Sequence, residues 1–108
     1  MRILIDIGHP AHIHLFKNFA WRMQERGHKI LFTCRDRECV LQLMRVYEFV
    51  YDNFGKHYSS VQGKIFGLLK NELQMLNTAI QFKPDLFLSH GSTIAAFTSF
   101  IMHKPHIA

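Results

Sequence analysis

Apolar residues follow two different patterns along the chain. Short continuous apolar runs are typical of strands buried on both faces of a sheet, whereas apolar residues that recur every three or four positions are typical of amphipathic helices. Runs of the first kind predict strands at 2–7, 28–33, 48–51, 85–89 and 104–108. Stretches of the second kind predict helices at 12–26, 37–46, 64–82 and from Ser92 or Thr93 to about His103, with a loop at 52–63.

The first three predicted helices each carry one apolar face. The faces consist of Phe16, Phe19, Ala20 and Met23 in the first helix, of Val40, Leu41, Leu43 and Met44 in the second, and of Ile65, Leu68, Leu69, Leu73, Leu76 and Ile80 in the third. Amphipathic helices bury their apolar stripe, so we expect these faces to pack against the strands. Gly27 is predicted to stop the first helix, and Pro84 follows the end of the third.

Strands separated by helices predict parallel β-α-β units with right-handed crossovers. The fold class is therefore α/β, a Rossmann-like doubly wound parallel sheet forming one domain over residues 1–108. No helix follows the last predicted strand, which would leave one face of the sheet poorly covered. We therefore expect the chain to be the N-terminal part of a longer, two-domain protein.

Composition and charge narrow the choice of partner. The 108 residues are 48% apolar and 19% charged, which is typical of a globular chain. Thirteen Lys and Arg residues against eight Asp and Glu give a net charge of +5, which suits an anionic partner such as a nucleotide or an acidic membrane surface. The basic residues form no run of like charge and no patch interleaved with aromatic residues, so nucleic acid is not a predicted partner.

The cysteines and the apolar stretches indicate the cellular compartment. Cys34 and Cys39 are too few for a four-ligand zinc site, and we expect both to be reduced thiols in a cytoplasmic protein. Asp6 interrupts the only apolar stretch near the N-terminus, so no signal peptide is predicted. The longest apolar stretch, 94–102, is too short to span a bilayer.

The segment after the first strand carries the most candidate chemistry. Gly8 permits the sharp exit from strand to helix, and three histidines follow within six residues. Open α/β sheets bind ligands at the carboxyl ends of their strands, where this segment lies. Imidazoles exchange protons near neutral pH and donate to anionic oxygens, so we predict a catalytic role for His9 and substrate binding by Gly8, His12 and His14. The alternative is that these rings order the loop by bonding backbone groups.

A second candidate loop follows the fourth strand. His90, Gly91, Ser92 and Thr93 are predicted to bind substrate, because a helix N-terminus preceded by glycine can bind an anion. Capping of the helix by Ser92 or Thr93 is compatible with that role. Asp6, within the first strand, is predicted to be buried and satisfied by loop amides.

The opening motif also carries a family resemblance. Residues 5–14 read Ile-Asp-Ile-Gly-His-Pro-Ala-His-Ile-His, and Phe-Lys-Asn at 16–18 and Arg-Gly-His at 26–28 follow. With Gly-Lys-His at 55–57 and His-Gly-Ser at 90–92, nearly the whole chain resembles a glycosyltransferase-like family of bacteria and archaea, the domain of unknown function 354. This resemblance implies the N-terminal domain of a GT-B-type enzyme, lining the acceptor side of a cleft. It implies a sugar nucleotide, in particular a UDP-sugar, and an unknown acceptor as partners, and neither a metal nor a cofactor.

A second resemblance concerns the non-hydrolysing UDP-N-acetylglucosamine 2-epimerases. Lys-Pro-Asp at 83–85, His-Gly-Ser-Thr at 90–93 and Lys-Pro at 104–105 are similar to their motifs. Ser92 stands where the epimerases have an acidic residue with a role in catalysis. A hydroxyl is not a general base at neutral pH without an activator, so transfer or binding of a sugar nucleotide is expected rather than epimerisation.

Two other classes of function stay open as alternatives. His12-Ile13-His14 is a pattern found in metal hydrolases, but no acidic partner is near in sequence, and we expect no tight zinc site. A non-catalytic binding or regulatory module of similar size is the other alternative.

Overall fold

Five strands and four helices occupy residues 1–36, 40–56, 61–89 and 93–107, the parts of the chain described by a computed structural model. In chain order they are β1 (Arg2–Ile7), α1 (Pro10–Glu25), β2 (Lys29–Asp36), α2 (Val40–Val46), β3 (Tyr51–Lys56), α3 (Val61–Phe82), β4 (Leu86–Ser89), α4 (Thr93–Met102) and β5 (His106–Ile107). The strands form one sheet in the order β3-β2-β1-β4-β5, and every pairing is parallel. The predicted parallel α/β sheet is therefore confirmed.

The layer formed by α1 and α2 covers one face of the sheet with apolar side chains. Its core contains Ile3, Ile5, Ile7, Ile13, Ala20, Ile30, Phe32, Cys34, Val40, Met44, Phe49 and Leu88. The Phe32 ring lies 4.5 Å from that of Phe49, and Trp21 stacks on Phe49 at 5.6 Å between centroids. Phe16, Phe19, Met23, Leu41 and Leu43 pack against this core, which confirms the predicted apolar faces of both helices.

The layer formed by α3 and α4 covers the opposite face, where the apolar core is smaller. Leu4 and Phe87 of the sheet pack against Met75 and Ala79 of α3. Helices on both faces confirm the doubly wound arrangement.

The predicted buried stripe of α3 is wrong at three of the four positions whose side chains the structure describes, and the fourth, Leu76, is half-buried. Leu69, Leu73 and Ile80 are 63%, 68% and 62% exposed. The helix instead turns Met75 and Ala79 inward. The short side chain of Ala79 permits a close approach to the strands, whereas a continuous stripe of leucines would hold the helix farther away.

The two middle strands depart from their predicted bounds. β2 runs on to Asp36 rather than ending at Thr33, so that Cys34 lies inside the strand and is buried. β3 begins at Tyr51 rather than at Glu48, because Glu48 has a φ of 58° and belongs to the turn that closes α2. The backbone N–H of Glu48 donates to the Arg45 carbonyl oxygen at 3.2 Å. The predicted loop at 52–63 is replaced by β3, the first residues of α3 and a segment outside the described residues.

The outer surface of α4 is apolar as well. Phe97, Phe100 and Ile101 are all exposed, Phe100 by 78%. Within the described ranges, no helix combines the length and the apolar character needed to cross a bilayer.

Candidate functional site

The loop between β1 and α1 is closed by hydrogen bonds from backbone amides to two histidine rings. The Gly8 N–H donates to Nδ1 of His12 at 3.2 Å, and the Ala11 N–H donates to Nδ1 of His9 at 3.1 Å. His9 is extended (φ −156°, ψ 150°) and is the N-cap residue of α1, and Pro10 follows as the first helical residue. Both rings therefore order the loop.

These bonds also fix the tautomer of each neutral ring. Because Nδ1 accepts in both rings, the hydrogen of each neutral imidazole is carried by Nε2. His9 is exposed, His12 is half-buried, and their ring centroids are 6.1 Å apart. The loop thus holds two neighbouring N–H donors, an arrangement suited to anionic or hydroxyl oxygens. His9 could take a proton at Nε2 only after a tautomer change that breaks its bond to Ala11.

His14 has a different neighbour. Its Nδ1 lies 3.4 Å from the Tyr47 hydroxyl, and the two rings meet edge to face at 6.1 Å. Nζ of Lys17 lies over the Tyr47 ring, 5.1 Å from its centroid. The exposed His14 ring therefore packs with the residue that follows α2, and substrate binding by His14 stays a prediction.

The second predicted loop begins next to the first. β4 pairs with β1 in parallel, and its last residue, Ser89, is the register partner of Asp6. The predicted site residues His90, Gly91 and Ser92 lie outside the described residues, and Thr93 is the first residue of α4. Their roles stay predictions. Neighbouring parallel strands end at the same sheet edge, so the chain leaves β1 and β4 toward one side of the molecule.

A row of buried polar side chains crosses the sheet just below this edge, and the sequence reasoning missed most of it. The register places Thr33, Asp6 and Ser89 side by side on β2, β1 and β4, facing α3 and α4. Thr33 donates its hydroxyl to Oδ1 of Asp6 at 2.9 Å, which confirms that Asp6 is buried. On the edge strand, His106 places Nε2 2.7 Å from the Ser89 hydroxyl oxygen. We call these four residues the polar row.

On this side of the sheet, one further pair joins a helix to a strand and another joins the two helices. Thr78 of α3 donates to the Asp52 carboxylate at the start of β3, and Thr98 of α4 donates to the Glu72 carboxylate of α3. Of all these polar residues, Asp6 and Thr33 lie between apolar neighbours in the sequence, which is a signal of a buried group, whereas Thr78, Asp52, Thr98 and Glu72 each adjoin another polar residue. Among the described residues, no group of three or more His, Cys, Asp or Glu is placed to hold a metal ion.

Burial and the charge of Asp6 shift the pKa of His106, within the polar row, and that of Glu72. Burial raises the pKa of Glu72, the Asp6 charge raises it further, and the hydrogen bond from Thr98 opposes both. Burial lowers the pKa of His106, and the Asp6 charge opposes that change. Both groups are therefore displaced toward their neutral forms.

The shift at Glu72 predicts the pH dependence of one variant. An acid whose pKa is raised by folding lowers stability as pH rises from its unfolded pKa through its folded one. Glu72→Gln keeps an oxygen for Thr98 but cannot ionise, so its stability relative to the wild type should be higher at pH 7 than at pH 4. Urea unfolding at both values measures the difference. A relative stability that does not change with pH would contradict this assignment.

The chain belongs to the family described as "Protein of unknown function (DUF354)", whose model matches residues 1–107. Among curated proteins it is similar to "Uncharacterized protein MJ0665" from Methanocaldococcus jannaschii, with 23% identity over 105 residues. That match covers 97% of this chain and 31% of the relative. The family predicted from the opening motif is therefore confirmed.

Solved structures of sugar-nucleotide enzymes share the fold. The glycosyltransferase VinC in complex with dTDP matches with a TM-score of 0.78 and 13% identity, covering 98% of this chain and 33% of VinC. The UDP-GlcNAc 2-epimerase from Neisseria meningitidis bound to UDP-GlcNAc matches with a TM-score of 0.74 and 17% identity, covering 98% and 31%. The GT-B-type, Rossmann-like fold is confirmed, and the chain spans about a third of the length of these proteins.

Proposed function

We propose that this chain supplies the acceptor-side half of the cleft in a glycosyltransferase-like enzyme that transfers a sugar from a sugar nucleotide to an unknown acceptor. The observation that carries the proposal is the pair of imidazole N–H donors on a loop beside the end of β4. The fold is shared with enzymes whose structures hold dTDP or UDP-GlcNAc, which supports a nucleoside diphosphate sugar as the donor. A second domain following this one would complete the cleft.

The chemistry of transfer requires two things of such a cleft. An acceptor hydroxyl must lose its proton, and the departing diphosphate must be met by hydrogen-bond donors or positive charge. We propose that His9 accepts the proton of the acceptor hydroxyl at Nε2, in the tautomer that gives up the bond from the Ala11 N–H, with Gly8, His12 and His14 on the same side of the cleft. We assign the diphosphate to His90, Gly91, Ser92 and Thr93 at the N-terminus of α4. The net charge of +5 favours an acceptor that is anionic or lies at an acidic membrane surface.

Titration calorimetry of the full-length protein with UDP tests the proposal, and uridine serves as the matched control. Uridine lacks the diphosphate but keeps the base and ribose, so UDP should bind at least tenfold more tightly. Incubation with UDP-GlcNAc alone should then release UDP slowly, because water takes the place of the missing acceptor and receives the sugar as free GlcNAc. Equal affinities for UDP and uridine, or no binding of either, would contradict a sugar-nucleotide site.

Epimerisation at C2 of a UDP-sugar is the alternative that a specific observation favours. The Neisseria meningitidis epimerase, whose structure holds UDP-GlcNAc, shares the fold. Ser92, in place of an acidic residue, weighs against it. The same incubation separates the two reactions, since epimerisation yields the 2-epimer without free UDP. Binding of UDP with neither product would instead support a non-catalytic module.

A further inference from the structure

Six large apolar side chains lie exposed on the outside of the layer formed by α3 and α4, and the proposed chemistry uses none of them. We call them the apolar face. They are Leu69, Leu73 and Ile80 of α3 and Phe97, Phe100 and Ile101 of α4. Each is at least 43% exposed. Single exposed apolar residues are normal, but a contiguous group of this size marks a surface that binds another protein or a membrane.

A hydrogen bond between the two helices places both parts of the apolar face side by side. Thr98 of α4 donates its hydroxyl to the Glu72 carboxylate of α3. Residues three or four positions apart lie on the same side of a helix, so Leu69 lies next to Glu72, and Ile101 lies next to Thr98. The exposed apolar residues of α3 and α4 therefore flank one contact and form a continuous surface.

Two lysines lie at one end of the apolar face. Lys83 follows Ile80 by three positions, Lys104 follows Ile101 by three positions, and both lysines are exposed. Each closes the last turn of its helix through its backbone N–H, at 2.8 Å for Lys83 and 3.0 Å for Lys104. Both helices return from the carboxyl edge of the sheet to its amino edge, because the strands that they join are parallel. The two ammonium groups therefore belong to the same end of this surface.

The carboxylates of this surface are already bonded. α3 and α4 contain one acidic residue, Glu72, which accepts the Thr98 hydroxyl. Asp85, which follows α3, accepts the backbone N–H of Arg2 at 2.8 Å. The Arg2 guanidinium donates to the Phe82 carbonyl oxygen at 2.7 Å, so its charge lies at the same end and offsets that of Asp85. The charge that is left for a partner is that of the two lysines.

We propose that the apolar face and the two lysines bind the surface of a bilayer that contains anionic lipids. The apolar side chains enter the boundary between headgroups and acyl chains, and the ammonium groups contact lipid phosphates. A second copy of the chain fits less well, because this surface offers no unbonded carboxylate, among its described residues, to Lys83 and Lys104. The proposal goes beyond the proposed function, since lipid binding requires neither a nucleotide nor an acceptor.

Co-sedimentation of the full-length protein with lipid vesicles tests the proposal. Vesicles of phosphatidylcholine mixed with phosphatidylglycerol supply an anionic surface, and vesicles of phosphatidylcholine alone are the lipid control. One double variant, Leu73→Gln with Phe100→Gln, removes apolar contacts, and the other, Lys83→Gln with Lys104→Gln, removes the charge. All four side chains are exposed, so both variants should keep the fold, and thermal unfolding checks this.

The layer formed by α1 and α2, across the sheet, offers a matched control for each variant. Leu15→Gln with Val46→Gln replaces two apolar side chains that are 58% and 72% exposed. Arg22→Gln with Arg26→Gln removes two exposed cations. Both controls change the composition of the chain as the test variants do, but they leave the proposed lipid-binding surface intact.

We expect the wild type to prefer anionic vesicles by roughly tenfold or more, with a preference that salt weakens. The lysine variant should lose roughly fivefold in affinity for anionic vesicles for each lysine. The apolar variant should lose roughly tenfold on both kinds of vesicle, because amide side chains do not enter the acyl region. The control variants should bind like the wild type.

No binding to anionic vesicles, wild-type binding by either test variant, or an equal loss in the controls would overturn the proposal. Sedimentation velocity without lipid tests the alternative occupant. A dimer that the apolar variant dissociates would assign the apolar face to a second copy and would also overturn the proposal. A failure of UDP to bind would instead overturn the proposed function, because the vesicle measurements contain no nucleotide.

Discussion

Replacement of His9 by asparagine is expected to lower turnover of the full-length enzyme about a hundredfold or more while leaving its melting temperature unchanged. Loss of a general base or of a donor to developing negative charge has an effect of this order. Asparagine is also a good N-cap residue, so its side-chain oxygen can accept the Ala11 N–H that Nδ1 of His9 now accepts. The release of UDP from UDP-GlcNAc measures turnover, and thermal unfolding measures stability.

His9→Ala is the informative companion, because it removes both the imidazole and the cap. From the sequence alone, this substitution is expected to spare the melting temperature. Because His9 caps α1 in the structure, we instead expect His9→Ala to lower the free energy of unfolding by about 1 kcal/mol, and the melting temperature with it. Normal turnover in His9→Asn together with destabilisation in His9→Ala would show that His9 is only a structural residue of the loop.

Replacement of Phe32 by alanine is expected to lower the free energy of unfolding by about 3–5 kcal/mol, the usual cost of deleting a buried phenyl ring. Phe32 is fully buried in the central part of the sheet and packs on Phe49. Trp21, the single tryptophan of the chain, stacks on the same ring, so its fluorescence should report the transition during urea unfolding.

Leu15→Ala is the matched control for this prediction. Leu15 is 58% exposed on α1, and alanine is a good helix former, so the change in stability should stay within about 0.5 kcal/mol. A loss of less than about 1 kcal/mol at Phe32 would contradict the packing between Phe32 of β2 and Phe49, two residues before β3.

The order and type of the elements follow from the sequence because they depend on local periodicity. Continuous apolar runs such as 3–5 and 30–32 identify strands buried on both faces, and Gly27, with a φ of 86°, ends α1 as predicted. Parallel strands then require that the first candidate loop lie at the carboxyl edge of the sheet. The position of the first candidate loop was therefore predictable, as was the burial of Asp6.

The pairing of polar groups was decided by the tertiary structure. Thr33 and Asp6 are 27 residues apart, and Ser89 and His106 are 17 apart, so their meeting depends on strand order and register. The local pattern also does not determine which face of α3 packs inward, because a helix with two apolar stripes can bury either one. The sheet selects the stripe with Met75 and Ala79, whose side chains fit against Leu4 and Phe87, and Leu73 is left on the outside.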